Sequence, residues 1–456
     1  MSTNGLQAAV TKMQDAGVGA AAIANFKRFY HLLEQGTSGY ILESEISPLP
    51  DLPHLDTNAA PTADDLRALD QTAVIKLNGG LGTSMGLQAA KSLLPVRDGL
   101  AFLDIIARQI LATRKATGAR LPLIFMNSFR TADDTEKVLA KYPELRVEGL
   151  PDSFLQNREP KLSADTLAPI EWPADPELEW CPPGHGDLYP ALFDAGIIRD
   201  LLAQGYRYAF VSNADNLGAT PNALMAGWFA RSGAPYAAEM SRKTPADVKG
   251  GQLVVRNHDG RLVQRETAQT HPDDMAISLD ATKHKYFHTN NLWFNLEALQ
   301  AELERTGGVL ELPLIRNEKT VDPTDPASPA VVQIESAMGA AVRVFPGATA
   351  IEVARERFLP VKTTDDLLLL RSDIYELTDD YRLHKVSEPP VVKLSKPYKT
   401  ITGFEQRFPY GPPRLRDAQS FTVDGDYTFE GDTTATGAAY LPAGTGIIPA
   451  GTVIHG

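Results

Sequence analysis

The sequence predicts an α/β fold: a sheet flanked by helices, preceded by a helical segment and followed by a small β domain. Three observations predict it. From about Thr72, apolar runs of strand length alternate with segments of helical character. Clusters of Gly, Asn and Asp fall where those runs end, which is where ligands bind in such sheets. From Val391 onward no helical run remains, and Val423, Tyr427, Phe429, Tyr440, Ile447, Ile448, Val453 and Ile454 stand among Gly, Thr and Asp. At 456 residues the chain is longer than one core usually serves. The expected divisions are 1–64 for the helical N-terminal segment, 65–385 for the α/β domain and 386–456 for a β-helix-like domain.

The elements follow in order. From Leu6 to Gln35, apolar residues at Met13, Val18, Ile23, Phe26, Phe29, Leu32 and Leu33 keep close to helical spacing, and Gly36 stops the run. Ser44 to Pro61, rich in Pro and Asp, reads as a connector to the main domain. Neither carries ligand chemistry, so a packing or lid role is expected of both. Ala73 to Leu77 is a short buried strand with one Lys in it, and a helix is expected around Leu100 to Leu111. Leu121 to Met126 is a second strand, ending in Asn127-Ser128. Thr131 to Tyr142 is a helix with Asp133 and Asp134 in its first turn, where the helix dipole favours anions. Between Pro151 and Pro183, prolines at 160, 169, 173, 176 and 182 interrupt any regular element. A loop this long inside a compact domain is usually functional or disordered. Tyr189 to Leu202 reads as a helix, and Tyr208 to Val211 as a strand ending in Ser212-Asn213-Ala214-Asp215-Asn216.

Charge narrows the partners. Acidic residues number 57 against 44 basic ones, and the net charge of −13 argues against binding nucleic acid or an anionic membrane. An anionic substrate must then be met by individual lysines. Cys181 is the only cysteine, so neither an intrachain disulfide nor a multi-thiolate metal site can form. Met1 to Val10 lacks the pattern of a secretory signal, and no run of about 18 apolar residues occurs. The cytoplasm is the expected location.

The first polar cluster is Asn78-Gly79-Gly80-Leu81-Gly82-Thr83-Ser84-Met85-Gly86, with Lys91-Ser92 following. Glycines let main-chain N–H groups approach phosphate oxygens, because no Cβ intervenes. Thr83 and Ser84 add hydroxyls, and Lys91 adds a mobile positive charge. The ending of a P-loop is missing, and so is Gly-x-Gly-x-x-Gly, since Gly80-Leu81-Gly82 leads to Met85. What remains is a loop suited to a polyphosphate. Gly184-His185-Gly186-Asp187 follows two prolines; Gly186 permits close approach, and His185 can donate to a phosphate or a sugar hydroxyl. Asp215, at a strand end, suits Mg²⁺, which prefers one or two carboxylates plus phosphate oxygens. Lys362, before Thr363-Thr364, can direct its charge into a phosphate site.

Taken together, residues from about Thr72 to Leu377 closely resemble the eukaryotic-type UDP-glucose pyrophosphorylase (UTP–glucose-1-phosphate uridylyltransferase) family. The matching strings are Lys76-Leu-Asn-Gly-Gly-Leu-Gly-Thr-Ser-Met-Gly86, Pro182-Pro-Gly-His-Gly-Asp187, Val211-Ser-Asn-Ala-Asp-Asn-Leu-Gly-Ala-Thr220, Ala246-Asp-Val-Lys-Gly-Gly251, Thr289-Asn-Asn-Leu-Trp293 and Arg357-Phe-Leu-Pro-Val-Lys-Thr363. Two departures stand out: Ala89-Ala90 replaces the family's Gly-Pro, and the C-terminal region is shorter than expected.

The resemblance implies a Rossmann-like nucleotidyltransferase (GT-A-like) mixed sheet. It also implies UTP and glucose 1-phosphate as substrates, and UDP-glucose and pyrophosphate as products. Lys91 and Lys362 would be the catalytic residues, with Asp215 holding Mg²⁺. The main chain of Leu77, Asn78, Gly79 and Gly80 would meet the nucleotide, with Lys91, Asn213 and Lys362 also on it. Gln156 and Gly184 would contact uracil. His185, Asn213, Ala214 and Asp215 would take the sugar phosphate, and Gly251, Glu266, Asn290 and Asn291 the hexose. A homo-oligomer formed through the C-terminal domain is a further expectation.

A near alternative is a UDP-N-acetylhexosamine pyrophosphorylase, but its loop carries Arg where Ser84 stands. A non-catalytic sugar-nucleotide sensor would be expected to have lost Lys91, Asp215 or Lys362, and all three are present.

Overall fold

The computed structural model describes residues 3–56, 59–82, 85–87, 89–244, 247 and 250–456. At its centre is a seven-stranded sheet. Its strands are β1 (Thr72–Asn78), β2 (Leu123–Asn127), β3 (Ser153–Leu155), β4 (Tyr208–Asn213), β5 (Tyr236–Arg242), β6 (Tyr286–Asn295) and β7 (Thr349–Glu352). Their order across the sheet is β7-β5-β6-β4-β1-β2-β3. β4, β1, β2 and β3 form a parallel block, with Asn213 beside Leu77, Asn78 beside Asn127 and Asn127 beside Leu155. The loops leaving all four strands therefore emerge along one edge. β6 is antiparallel to both β4 and β5, and β7 is parallel to β5.

Side chains alternate between the two faces, as the pleat requires. Ala73, Ile75, Ile124, Met126, Ala209 and Val211 face one apolar layer, which the N-terminal helices cover with Phe26, Phe29 and Tyr30. Val74, Phe125 and Phe210 face the other, under Phe102, Ile106 and Ile110 of the helix Phe102–Thr117. The expected N-terminal helix is two, Thr3–Asp15 and Ala20–Glu34, because Gly17 turns the chain at φ +72°. The helix expected over Tyr189 to Leu202 is likewise two, Leu188–Asp194 and Ile197–Ala203, separated by Gly196 at φ +70°. Apolar periodicity runs through both breaks, which is why sequence alone merged them. The connector contributes a strand, Ile46–Pro48, that pairs with Gln252–Arg256.

In the C-terminal segment, Val391–Leu394, Arg414–Val423, Thr434–Leu441 and Val453–His455 pair as parallel neighbours in that order. Asp426–Phe429 pairs in parallel with Thr445–Ile448. Its core residues Phe404, Phe421, Phe429, Ala435 and Ile454 belong to the same apolar cluster as Val74 and Phe210. Packing thus runs unbroken across the expected division at residue 386. Among the described residues no helix is long and apolar enough to cross a membrane.

Candidate active site

The parallel block fixes the site by register. Its strand ends deliver Leu77 to Gly80, Met126, Gln156 and Asn213 to Asp215 to one cavity of about 290 Å³, which Lys91, Ser92, Pro182, Gly184, His185 and Glu335 complete. Of the residues expected on the nucleotide and sugar phosphate, Lys362 alone is not among the lining. Asn78 presents main chain there, since its amide donates to Asn127 Oδ1 and Thr135 Oγ1, both at 2.8 Å. Lys91 N–H donates to Gly80 O at 3.1 Å, folding the loop back on itself. Gly82 sits at φ +67°, and a Cβ there would press on Lys91 Cγ at 3.3 Å. The turn calls for the glycine, and the lysine stem leaves little room beside it. Thr83 and Ser84 lie outside the described residues, as do Ala246, Val248 and Lys249 of the fourth matching string.

Lys91 Nζ is 2.6 Å from Asp215 Oδ2, at the mouth of β4. Ala214 N–H donates to Leu77 O at 2.9 Å, so the two phosphate-facing loops are tied together. Asp215 is a single carboxylate, and among the described residues no group of three or more His, Cys, Asp or Glu could hold a metal by itself. That donor set fits Mg²⁺, which completes its shell with phosphate oxygens and water.

A slot stands at the other end of the cavity. Gln156 is anchored by its N–H on Asn127 O (2.7 Å), and its Nε2 donates to Gly184 O at 3.1 Å. A Cβ on Gly79 would run into Gln156 Oε1, and one on Gly184, at φ +76°, would stand 2.6 Å from Ser336 O. Behind it, Asp187 accepts from Asn157 N–H at 2.6 Å and from Asn157 Nδ2 at 3.0 Å. Burial pushes the Asp187 carboxyl up to about 7. His185 Nδ1 accepts from Met338 N–H at 3.0 Å, leaving Nε2 as the protonated nitrogen of the neutral ring. Burial lowers its pKa to about 4, so that neutral form persists near pH 7.

A second cluster adjoins on the side of β6. The register of β5 and β6 shifts between Ala238 and Met240, a bulge containing Thr289, Asn290 and Asn291. Asn290 takes φ +59°, and its N–H donates to His288 Nδ1 at 3.0 Å. Gln264 Nε2 donates to Glu266 Oε1, and Gly251 leaves room for that carboxyl, since a Cβ there would come within 2.8 Å of it. Burial raises the Glu266 pKa to about 7, against the pull of Lys362. Lys362 is exposed, with Nζ 5.7 Å from the Phe287 ring centre. Gln264 Oε1, His288 Nε2 and Asn290 Oδ1 are buried without a hydrogen-bond partner among the described residues. Groups so placed are costly unless something bonds to them. Gln264 and His288 were missed because neither stands in a glycine-rich or otherwise marked string.

Asn291, expected on the hexose, is wholly buried, and its Nδ2 donates to Glu239 Oε2 at 2.9 Å. A larger cavity of about 780 Å³ opens behind the loop of Asp215, lined by His54, Leu217, Gly218, Arg357 and His384 among others. It contains none of the expected residues, so size does not identify the site here.

A model of the UTP–glucose-1-phosphate uridylyltransferase family matches residues 23–435. The chain is 38% identical to the UTP–glucose-1-phosphate uridylyltransferase of Hordeum vulgare, over 87% of this chain and 84% of the relative. It is 39% identical to that of Saccharomyces cerevisiae, over 86% and 78%. Among solved structures, a variant of the Leishmania major UDP-glucose pyrophosphorylase in complex with UDP-glucose superposes with a TM-score of 0.92 at 41% identity, covering 99% of this chain and 98% of that one. The UDP-glucose phosphorylase of Trypanosoma brucei gives 0.92 at 40%, covering 99% and 98%. The chain belongs to the UTP–glucose-1-phosphate uridylyltransferase family of nucleotidyltransferase enzymes.

Proposed function

We propose that the protein joins UTP and glucose 1-phosphate to give UDP-glucose and pyrophosphate. The observation that carries the reading is the single cavity in which a glycine loop, the Gln156–Gly184 contact and the Lys91–Asp215 pair meet. A phosphate oxygen of the sugar attacks the α-phosphorus of UTP in line. A phosphorus–oxygen bond forms there, the bond to the β-phosphate oxygen breaks, and pyrophosphate leaves with that electron pair. The nucleophile is already anionic near neutral pH, so no general base is required. The residues' work is positioning and charge neutralisation. One phosphoanhydride replaces another, so the reaction runs in both directions.

Main-chain groups of Leu77 to Gly80 cradle the nucleotide, and Gln156 with Gly184 reads the uracil edge. Lys91 holds the UTP phosphates, and Lys362 swings from its exposed position to the phosphates of both reactants. Asn213, Ala214 and neutral His185 bind the ribose and sugar-phosphate side. Gly251, Glu266 and Asn290 take the hexose, joined by Gln264 and His288, whose unpaired groups suit sugar hydroxyls. Asp215 would hold Mg²⁺, which on binding the triphosphate supplies charge neutralisation there. The sheet supports a GT-A-like reading, and the parallel C-terminal ladders a β-helix. Exposed Tyr440, Ile447 and Val453 on those ladders would carry self-association, and we place the protein in the cytoplasm. Pyrophosphate release from UTP with a panel of hexose 1-phosphates tests the function. Glucose 1-phosphate should lead, and absence of release with every sugar overturns it.

A further inference from the structure

Asp215 and Lys362 sit on loops that are distant in sequence, and something must set one against the other. Asn216 meets both. Its Oδ1 accepts from Leu359 N–H at 2.8 Å and from Gly218 N–H at 3.2 Å. Its Nδ2 donates to Arg357 O at 3.1 Å and to Asn291 Oδ1 at 3.2 Å. Asn216 is 1% exposed, and every hydrogen-bonding edge of its carboxamide is engaged. It also bridges Pro360, and next to it Val361 N–H reaches Asp215 O at 3.3 Å. The segment from Arg357 to Lys362 is thus fastened to the loop of Asp215 two residues before the lysine.

The anchor is itself held. Arg357 forks onto Glu239 with two contacts of 2.7 Å and donates to Thr220 O at 3.0 Å. Glu239, wholly buried, also accepts from Asn291 and from Trp293 Nε1 at 3.0 Å. On the other flank, Lys76 Nζ donates to Ser212 Oγ and Ala219 O, both at 2.7 Å. The loop is pinned at both ends, and Asn216 is where the lysine segment attaches.

We propose that Asn216 is a positioning residue that sets Lys362 against Asp215, acting on the reaction through the lysine. The inference rests on the proposed uridylyl transfer. Only a neutral carboxamide offers two donors and acceptor capacity in one plane, as two main-chain edges of opposite polarity require. A carboxylate would leave Asn291 Oδ1 without a donor and Arg357 O with the Asn291 amide alone. Misplacing a charged group by about 1 Å can cost on the order of 10²-fold in rate.

The test is a double-mutant cycle on kcat with Asn216→Leu, Lys362→Ala and the pair, each checked for folding by thermal denaturation. Asn216→Leu should lower kcat by about 10- to 100-fold, with KM for UTP changed less than about threefold. In the Lys362→Ala background the same substitution should cost less than about threefold. An equal loss in both backgrounds overturns the proposal while leaving the transfer reaction standing. Full activity of Lys362→Ala overturns it together with the lysine's role. A wild-type protein without transfer activity overturns the functional reading first. Should the leucine variant not fold, Asn216→Ser, which keeps an acceptor and less bulk, takes its place in the same cycle.

Discussion

The two halves of the cleft are made differently. The half proposed for the nucleotide lies at the ends of parallel strands, and it presents much main chain, Leu77 to Gly80 and Gly184, with the Gln156 side chain held in place by its own N–H on Asn127 O. The half proposed for the hexose lies on a bulged antiparallel strand and a neighbouring hairpin, and it presents side chains, three of whose buried polar atoms have no partner among the described residues. Register positions the first half, because neighbouring parallel strands end together. The second is positioned by side-chain bonds that a hydroxylated ligand would complete. A main-chain cradle tolerates little redesign, whereas a side-chain pocket can change its sugar by substitution.

The largest effect should come where the halves meet. Lys91→Ala should lower kcat on the order of 10²–10³-fold with the fold intact, as should Asp215→Ala; stopped assays over a Mg²⁺ range check both. A collapse of thermal stability in Asp215→Ala with normal Mg²⁺ dependence would instead make that carboxylate a structural cap. Next comes base reading. Gln156→Leu keeps bulk and removes both hydrogen-bond functions, so UTP should lose its advantage over CTP. A buried unpaired group costs about 1–3 kcal/mol, roughly 5- to 150-fold in the ratio of kcat/KM. An unchanged ratio would mean that main chain alone reads the base.

The hexose half should respond separately. Gln264→Leu removes an orphaned acceptor and a bond to Glu266, so KM for glucose 1-phosphate should rise about tenfold while KM for UTP holds. If both constants move together, the halves are not independent. The smallest effect concerns pH. The His185 pKa is depressed to about 4 in the fold, so between pH 6.5 and 4 the unfolded chain binds more protons. Stability due to this group is present above 6.5 and lost as pH falls through that window. His185→Gln keeps an acceptor for Met338 N–H and should lose less stability than wild type, by about 1 kcal/mol at pH 5.5. Parallel melting curves of the two proteins from pH 7 to pH 5 provide the measurement.

The same contrast explains what could be read in advance. That Gly79, Gly80, Gly184 and Asp215 share one cavity was legible because glycines and a strand-end carboxylate leave local marks, and parallel strands bring such marks together. Gln264 and His288 carry no mark, since an orphaned acceptor is defined by what fails to approach it in three dimensions. Asn290 and Asn291 share one string, and only the fold distinguishes them: Asn291 Nδ2 is bonded to Glu239, while Asn290 Oδ1 has no partner among the described residues. The breaks at Gly17 and Gly196 were hidden for a local reason: a glycine is tolerated inside a helix, and apolar spacing continued past both.

The apolar cluster that includes Val74 and Phe210 runs on without a break to Phe421, Phe429 and Ile454. During synthesis those last three leave the ribosome after every strand of the sheet has been made. The end of the cluster that they fill therefore stays open to solvent until translation is nearly over, the kind of surface that recruits chaperones or aggregates. Closing it becomes a late event, even though every strand end at the cavity was made long before. A substitution such as Phe421→Ala should accordingly reduce the yield of recoverable chain during expression before it reduces turnover per folded molecule.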